Sequence, residues 1–215
     1  MKRNSFIFKY NDITLNINNG SFISISGNSN EEIYNSFKEN IDINVLSYKD
    51  IFSFKYNNVF DEINSVINNK NKTNEIIKTY KLDNKSISDK IKLKIIFNIL
   101  DNKILVINNV LNLLDIDDYK IVLKALKSYS LKNHIVFNIT NIAEETLFSD
   151  KLLIIYNNKL LFNDEPLEVL NNEKIIKRIG LGLPFIVELN KYLMDYGLIS
   201  DYHLSNKKLV GALWE

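Results

Sequence analysis

One stretch of the chain has the order of elements found in phosphate-binding loops. The segment FISISGNSNEEIYNSF, Phe22 to Phe37, reads as an apolar strand, a turn opened by Gly27 and a helix. Such loops use the backbone N–H groups of closely spaced glycines, a lysine that reaches the phosphates and a hydroxyl that holds Mg²⁺. Beyond Gly27 the segment lacks those groups at the required spacing. Two interpretations stay open at this point: a nucleotide site that has lost its chemistry, and a strand–turn–helix that never had any.

The other residues that could take part in catalysis or metal binding do not form a recognisable motif in the sequence. His134 precedes an apolar run and His203 lies in a polar stretch, and neither has a serine or carboxylate in a pattern typical of catalysis. The pair Asn108-Asn109 could supply amide ligands to a metal ion, but composition also produces such pairs in a chain this rich in asparagine. We therefore predict no catalytic histidine and no metal site.

Composition limits the classes of function. The chain has 215 residues, is 46% hydrophobic and 25% charged, and has a net charge of +1. These values are typical of a globular protein, and a net charge near zero does not indicate the basic surface with which proteins bind nucleic acid. Cysteine is absent, which excludes disulfides and thiolate metal sites. No apolar run has signal-peptide or membrane-span length, so we expect a cytoplasmic protein, able to dock on a membrane partner.

Apolar runs alternate with helical patterns along the chain. Ile104–Asn108, His134–Thr140 and Lys151–Tyr156 read as buried strands, and the last continues into a hairpin with its turn at Asn157-Asn158. Strands that alternate with helices favour βαβ units and a parallel sheet. The aromatics Phe52, Phe54 and Tyr56 predict a packed strand or a partner-facing loop; these three alternate with polar residues.

Three segments are typical of helices. Isoleucines at four-residue intervals (87, 91, 95 and 99) predict one apolar stripe along Ser86–Asp101. Asp117 is predicted to cap a helix that ends near Ser130, with Val122, Leu123 and Leu126 facing inward. In the tail, Pro184 is expected in the first turn of a helix that stops at Gly197, with Ile186, Leu189, Leu193 and Met194 on one side.

The order of these pieces resembles one family. After the Gly27 turn the chain reads DNKILVINNVLNLLD, FNITN, SDKLLIIYNNKLLFNDEPLEVL and GLGLPFIVELNKYLMDYGLI. This text is similar to the ATPase subunits of ABC transporters, and its tail most resembles those of energy-coupling factor importers, which take up vitamins and metal ions. The resemblance covers most of the chain and is strongest from Leu100 onward. It implies an α/β fold: a P-loop NTPase-like parallel sheet flanked by helices, reduced antiparallel and helical subdomains, and a short C-terminal helical appendage.

The family's phosphate-loop pattern, G-x-x-G-x-G-K-[ST], aligns from Gly27. Asn30 and Glu32 then replace the next two glycines. Ile33 stands at the lysine position and Tyr34 at the hydroxyl position. The resemblance therefore implies a phosphate loop that keeps its first glycine and has lost the groups that bind phosphate and Mg²⁺.

The other nucleotide-handling positions differ from the family in the same way. The family's Asp-Glu pair, which holds Mg²⁺ and polarises water, is replaced by Asn108 and Asn109, whose amides can do neither. Asn141 replaces the switch histidine, and the glutamine-loop position falls near Tyr48 in a chain without glutamine. The resemblance leaves Tyr10 as the aromatic that could stack on adenine.

Two further motifs concern the family's dimer. The signature LSGGQ aligns with NKSIS, Asn84–Ser88, so Ser86 and Ile87 replace its glycines. Asp115, after Leu114, matches the loop that crosses the dimer interface. In ABC dimers each ATP lies between one subunit's phosphate loop and the other's signature, and this chain differs from the family in both.

The resemblance implies a degenerate ATPase-like subunit of an energy-coupling factor transporter, structural or regulatory, with weak or no ATP hydrolysis. Its expected domains are a degenerate ATPase-like domain at 1–175, with a reduced helical insertion at 57–90, and a C-terminal appendage at 176–215. Its expected partners are a second ABC ATPase subunit and an integral membrane subunit, with no nucleic acid. It would lie on the cytoplasmic face of the membrane.

Cofactors and alternatives follow from the same comparison. No cofactor is expected, except ATP and Mg²⁺ if any nucleotide binding survives. Two alternatives stay open: a divergent but active ATP-hydrolysing subunit of an ABC importer, and a regulator that reuses the scaffold outside transport.

Overall fold

A six-stranded sheet forms the centre of the computed structural model, which describes residues 5–83, 86–101 and 103–214. The strand order is β4-β5-β6-β3-β7-β8, with all neighbours parallel except the antiparallel pair of β7 and β8. The strands are β3 (Phe22–Gly27), β4 (Ile43–Ser47), β5 (Ile104–Asn108), β6 (Val136–Ile139), β7 (Lys151–Tyr156) and β8 (Lys159–Asp164). The predicted α/β class with a parallel sheet is confirmed.

A two-stranded antiparallel sheet precedes it, formed by β1 (Ser5–Tyr10) and β2 (Ile13–Asn18). Together with α1 (Asn30–Lys38) it covers one face of the central sheet. Phe8, Phe37 and Phe137 meet there, with ring centroids between 4.9 and 6.0 Å apart. This aromatic cluster fixes α1 against the sheet, because large buried rings contribute much of the packing energy of a core.

Helices cover the opposite face of the sheet. They are α4 (Ile87–Leu100), α5 (Ile116–Leu131), the short α6 (Ala143–Thr146) and the tail helices α7 (Pro166–Leu170), α8 (Glu173–Arg178) and α9 (Phe185–Asp195). The apolar side chains of α4 and α5 share a core with β5 and β6. The tail helices pack against Leu152 and Ile154 of β7 through Val169, Ile176 and Val187. The division at residue 175 stays a prediction.

The predicted insertion contains two helices, α2 (Val59–Ile67) and α3 (Lys70–Tyr80). Each begins after an asparagine, Asn58 or Asn69, whose side chain accepts a hydrogen bond from the helix's third N–H group. Such caps explain how so polar a segment forms helices. The chain ends with α10 (Asn206–Leu213). In the described parts of the chain, no helix combines the length and apolar character needed to cross a membrane.

Several local predictions need correction. Asp117 does not cap α5, because the helix starts at Ile116 and the capping position is Asp115. Of the two structures expected for Phe52, Phe54 and Tyr56, the strand is wrong, because the segment is a 3₁₀ turn, Tyr48–Phe52, followed by irregular chain. The partner-facing loop stays a prediction. The segment His134–Thr140 is regular strand over Val136–Ile139 alone.

The tail helix ends near its predicted position and differs in its buried face. Helix α9 starts directly after Pro184, and Gly197 follows its end with φ +68°. The four predicted inward residues are half-buried, whereas Val187 and Asn190 are the buried ones. Asn190 is satisfied there, since its amide donates to the Ile186 and His203 carbonyls.

Candidate functional site

The candidate site lies at the carboxyl ends of β3, β5 and β6. These strands are in register, so the Asn109 N–H donates to the Ile139 carbonyl at 3.0 Å and the Thr140 N–H to the Ile25 carbonyl at 3.0 Å. Gly27, Asn108 and the residues after Thr140 therefore reach the same edge of the sheet. Ligands of open α/β sheets bind at this edge. The structure thus brings together the strand ends that carry the predicted positions.

The connection between β3 and α1 is only two residues long, Asn28 and Ser29, because the helix already begins at Asn30. This early start turns the next positions toward the core. Ile33 is 0% exposed and Tyr34 is 3% exposed, and both pack in the cluster between α1 and the sheet. The positions aligned with the family's lysine and hydroxyl therefore point into the protein, where neither could reach a phosphate.

Gly27 has a structural explanation that does not involve phosphate. Its φ is +144°, and a Cβ atom at this position would lie 1.8 Å from the carbonyl oxygen of Ile155 in β7. No residue other than glycine can take this conformation so close to a backbone oxygen without a shift. The close approach of β3 to β7 is sufficient to require the glycine.

The side chain of Asn28 is bound to the turn between β7 and β8. Its Nδ2 donates to Asn157 Oδ1 at 2.7 Å, and its Oδ1 accepts the Asn157 N–H at 2.8 Å. Ser29 Oγ donates to Asn158 Oδ1 at 3.2 Å. The turn presents these groups because both asparagines have positive φ, +49° and +61°, as predicted for this hairpin. Protein side chains therefore fill the polar contacts around the β3–α1 connection.

Tyr10 on β1 belongs to the same hydrogen-bond network. Its hydroxyl donates to Glu32 Oε2 at 2.6 Å and lies 2.7 Å from Asn158 Oδ1. Burial, and next the bond to Glu32, raise the pKa of the Tyr10 phenol. The residue is 6% exposed, so its ring offers no open face on which an adenine could stack. The sequence pattern could not show this, because it did not place the Asn157-Asn158 turn beside β1.

Asn141 lies at the N-terminus of α1. Its Oδ1 accepts a hydrogen bond from Asn30 Nδ2 at 2.7 Å, and the same amide lies 3.4 Å from the Thr140 carbonyl. A cavity of about 240 Å³ adjoins Gly27 and Asn141, and Gly180 of the tail lines its other side. The residue at the switch position thus bonds to its own chain and cannot act as a base, since an amide accepts no proton near neutral pH.

The side chains of Asn108 and Asn109 form a hydrogen bond with each other. Asn109 Nδ2 donates to Asn108 Oδ1 at 3.0 Å, and Asn109 has φ +50°, a conformation that asparagine tolerates better than most residues. No group of three or more His, Cys, Asp or Glu side chains suited to a metal ion occurs within the described ranges. With two neutral amides at this position and no open phosphate loop, these residues do not fit a magnesium–nucleotide complex.

The signature-aligned segment is anchored to α5. Asn84 and Lys85 lie outside the described residues, but Ser88 Oγ donates to Asp118 Oδ2 at 2.7 Å and accepts the Asp115 N–H at 3.4 Å. Ser86 caps α4 by accepting the Asp89 N–H at 3.0 Å. Asp115, the residue aligned with the dimer loop, is itself exposed.

A buried ionic cluster joins this segment to the insertion. Lys92, 1% exposed, contacts Asp89 Oδ1 at 2.7 Å and Asp118 Oδ1 at 2.9 Å, and donates to the Lys81 carbonyl at 3.1 Å. Burial by itself would raise the pKa of Asp89, but hydrogen bonds with Asp83 and Lys92 and the Lys92 charge outweigh it and lower that pKa to about 2. Sequence reasoning missed the cluster, since Lys92 interrupts an apolar helix face without any visible partner.

Relatives of this chain include ATP-binding proteins of energy-coupling factor transporters. The ATP-binding protein EcfA1 of an energy-coupling factor transporter from Lactobacillus delbrueckii subsp. bulgaricus is 26% identical over 115 residues, 53% of this chain and 41% of the relative. The Mycoplasma mobile protein of the same name is 28% identical over 115 residues, 53% of this chain and 40% of the relative. The chain thus spans about two fifths of the length of these relatives. No protein-family model matches it.

Solved structures show the same fold. The chain superposes on cbiO1 from Clostridium perfringens, part of the ABC transporter complex cbiONQ, with a TM-score of 0.60 at 15% identity, over 86% of this chain and 96% of the other. It also matches an ATP-binding cassette solved as a dimer with ADP and phosphate, with a TM-score of 0.57 at 12% identity, over 77% and 97% of the two chains.

The fold is therefore that of the ABC-type ATPases, a class of P-loop NTPase-like proteins. The chain is similar in sequence to ATP-binding subunits of energy-coupling factor transporters, which confirms the resemblance stated from its sequence.

Proposed function

We propose that this chain is a degenerate ATPase-like subunit of an energy-coupling factor transporter, with a structural or regulatory role and weak or no ATP hydrolysis. The observation that carries the proposal is the early start of α1 at Asn30, which buries Ile33 and Tyr34 in the core. Phosphate binding at this position needs a loop that wraps the phosphate and a cation that reaches it. A two-residue connection tied to the Asn157-Asn158 turn provides neither.

The charge at the N-terminus of α1 supports the same conclusion. The partial positive charge of a helix N-terminus attracts anions such as phosphate. Here Glu31 and Glu32 occupy the first turn, so two carboxylates of the protein already lie in that field. A triphosphate would meet like charges where the related ATPases have backbone N–H groups and a lysine.

The proposed partners are a second ABC ATPase subunit and an integral membrane subunit. Leu113, Asp115 and Ile116, around the start of α5, are exposed. Tyr48 and Phe52 are also exposed and form a T-shaped pair with 5.4 Å between ring centroids. Exposed apolar residues beside charged ones are typical of surfaces that bind other proteins. Through these partners the chain would lie on the cytoplasmic face of the membrane.

Nucleotide binding tests the enzymatic half of the proposal. We expect no rise in Tm with millimolar Mg-ATP, because a ligand stabilises the native state only if it binds it. We also expect the unmodified chain to hydrolyse ATP no faster than the Asn109→Gly variant does. This substitution suits the positive φ at residue 109. Asn133→Gly, at an exposed position that also has positive φ, is the matched control. Turnover that Asn109→Gly abolishes and Asn133→Gly preserves would establish the divergent active ATPase instead.

Co-purification tests the partner half. The chain is expressed with a related ATP-binding subunit and a membrane subunit, and the complex is isolated through the membrane subunit. We expect Asp115→Arg to reduce recovery of this chain, and Asp117→Arg, at an exposed position two residues further along the chain, to leave it unchanged. Failure of the unmodified chain to join either subunit would favour a regulator outside transport.

A further inference from the structure

Four buried polar atoms without a hydrogen-bond partner among the described residues belong to side chains at one place beneath α5 and α6. They are Ser24 Oγ, Tyr119 Oη, Asn138 Oδ1 and Glu145 Oε1. Ser24 and Asn138 are register partners on β3 and β6, so their side chains leave the same face of the sheet. Asn138 Nδ2 donates to Glu145 Oε2 at 3.1 Å. This polar group is separate from the Asn28–Asn158 network described above.

An ionised Glu145 is costly in this place. The residue is 2% exposed, and none of the described lysines, arginines or histidines forms an ion pair with it. A buried carboxylate without a cation is strongly unfavourable, and each unsatisfied buried polar atom adds the cost of its lost hydration. The like charge of Glu144, next to it in the chain, adds repulsion.

We propose that Glu145 is a buried proton-binding site, with its carboxyl group protonated on Oε1 at neutral pH and donating to Asn138 Oδ1. The two unpartnered acceptors belong to residues that already share one hydrogen bond through their other polar atoms. A proton on Oε1 supplies the missing donor between them and converts the single bond into a two-bond acid–amide pair. One proton thus removes both the uncompensated charge and two unsatisfied atoms.

The groups around Glu145 agree with this assignment. Burial raises the pKa of Glu145, Glu144 raises it further, and hydrogen bonds with Asn138 and Thr140 oppose the rise without cancelling it. From α5, the phenol of Tyr119 faces the carboxyl, and its pKa is raised by burial and then by Glu145 and Glu144. The neutral side chains of Asn138 on β6 and of Thr140 just after β6 form hydrogen bonds with Glu145.

The protonation state of Glu145 bears on how α9 in the tail is attached, because of where Glu145 lies. Helix α6 carries Glu145 into the core, and its exposed neighbour Glu144 accepts the Phe185 N–H, the first of α9, at 3.3 Å. The preceding turn carries Asn141, which binds Asn30. Loss of the proton would weaken the attachment of α6 to β6, and with it the contacts to α9 and α1.

The test compares the unmodified chain with Glu145→Gln, in which the amide can form the same two hydrogen bonds with Asn138 at every pH. A raised folded pKa means that the native state holds its proton longer than the unfolded state, so stability falls as pH rises above the ordinary glutamate value of 4.5. We expect the Tm of the unmodified chain to fall relative to Glu145→Gln by about 3 to 5 °C per pH unit up to the folded pKa.

Glu144→Gln is the matched control on the same helix. It keeps the acceptor for Phe185 and leaves Glu145 in place, so we expect it to retain the pH-dependent fall, displaced slightly to lower pH by removal of the like charge. Infrared spectra at pH 7 should show a protonated carboxyl band that Glu145→Gln removes and Glu144→Gln keeps. Parallel pH dependence of all three proteins, with no such band, would overturn the proposal, whatever the outcome of the nucleotide experiments.

Discussion

The β3–α1 connection and the junction of α4 with α5 are both places where nucleotide-binding motifs of the resembled family align, and they are held together by different forces. Neutral amides and hydroxyls hold the connection, in particular Asn28, Asn157 and Asn158. Buried ions hold the junction, where Lys92 contacts Asp89 and Asp118. Neutral hydrogen bonds each add little net stability, whereas removal of one member of a buried ionic cluster leaves a charge without a partner. Substitutions in the connection should therefore reduce the stability little, whereas substitutions in the junction should reduce it strongly.

Removal of the central cation should have the largest effect. In Lys92→Met, two carboxylates stay behind without their buried partner, and we expect the free energy of unfolding to fall by about 3–5 kcal/mol. Denaturant unfolding measures it, with exposed Lys124→Met on α5 as the control. A loss no larger than that of the control would remove the distinction between the two regions.

Gly27, the last residue of β3 before the connection, should be an exception to the small effects expected there. Gly27→Ala would place a Cβ 1.8 Å from the Ile155 carbonyl, so β3 and β7 must separate. We expect a loss on the order of 3 kcal/mol, at the upper end for overpacked positions. Gly211→Ala, inside α10 with no atom within 4 Å of the added Cβ, should instead stabilise by about 0.5–1 kcal/mol. Equal thermal shifts for the two variants would show that Gly27 has room for a side chain.

Acid should weaken the junction before the connection. The pKa of Asp89 is lowered to about 2 in the folded chain from an ordinary value of 3.8, so its contribution is complete above pH 4 and is lost as pH falls toward 2. The difference corresponds to roughly 2 kcal/mol. Asp89→Asn should flatten the fall in stability between pH 4 and 2. Asp117→Asn, at an exposed carboxylate, should leave it unchanged, and identical acid profiles for these variants would contradict the assignment to Asp89.

The amide contacts should show the smallest effect. We expect Asn28→Ala to cost about 1 kcal/mol, and the same change combined with Asn157→Ala to cost less than the sum of the two singles by roughly 1 kcal/mol. A double-mutant cycle from urea unfolding measures this coupling. Coupling above that of the Lys92–Asp118 pair would reverse the order of the two regions.

The sequence predicted the elements best where one kind of residue continues without interruption. Ile104–Asn108 and Lys151–Tyr156 have their predicted bounds because central parallel strands are apolar on both faces. The strands β1, β2 and β4 were not located, since their polar residues alternate with apolar ones in short segments that resemble loops. For α5, Asp117 and Asp115 are both acceptable caps by residue type, and the structure places Asp115 at the N-cap position without a side-chain capping bond.

The candidate site was predictable in its residue types and not in its geometry. The absence of a lysine at Ile33 and of carboxylates at Asn108 and Asn109 is visible in the sequence. The same sequence gives no sign that Gly27 packs against Ile155, or that Tyr10 bonds to Glu32 and lies beside Asn158. Those partners are far apart along the chain, so no local pattern connects them.

The sequence alone determined the order of the apolar strands β3, β5, β6 and β7 and of the helices α4, α5 and α9, and which chemical groups are present at each aligned position, because periodicity and residue type act locally. The tertiary structure decided where those groups point: Ile33 and Tyr34 into the core, Asn28 toward the Asn157-Asn158 turn, Lys92 between two carboxylates, and Glu145 against Asn138. Burial and hydrogen bonding depend on which distant segments meet, and that is fixed only when the sheet assembles.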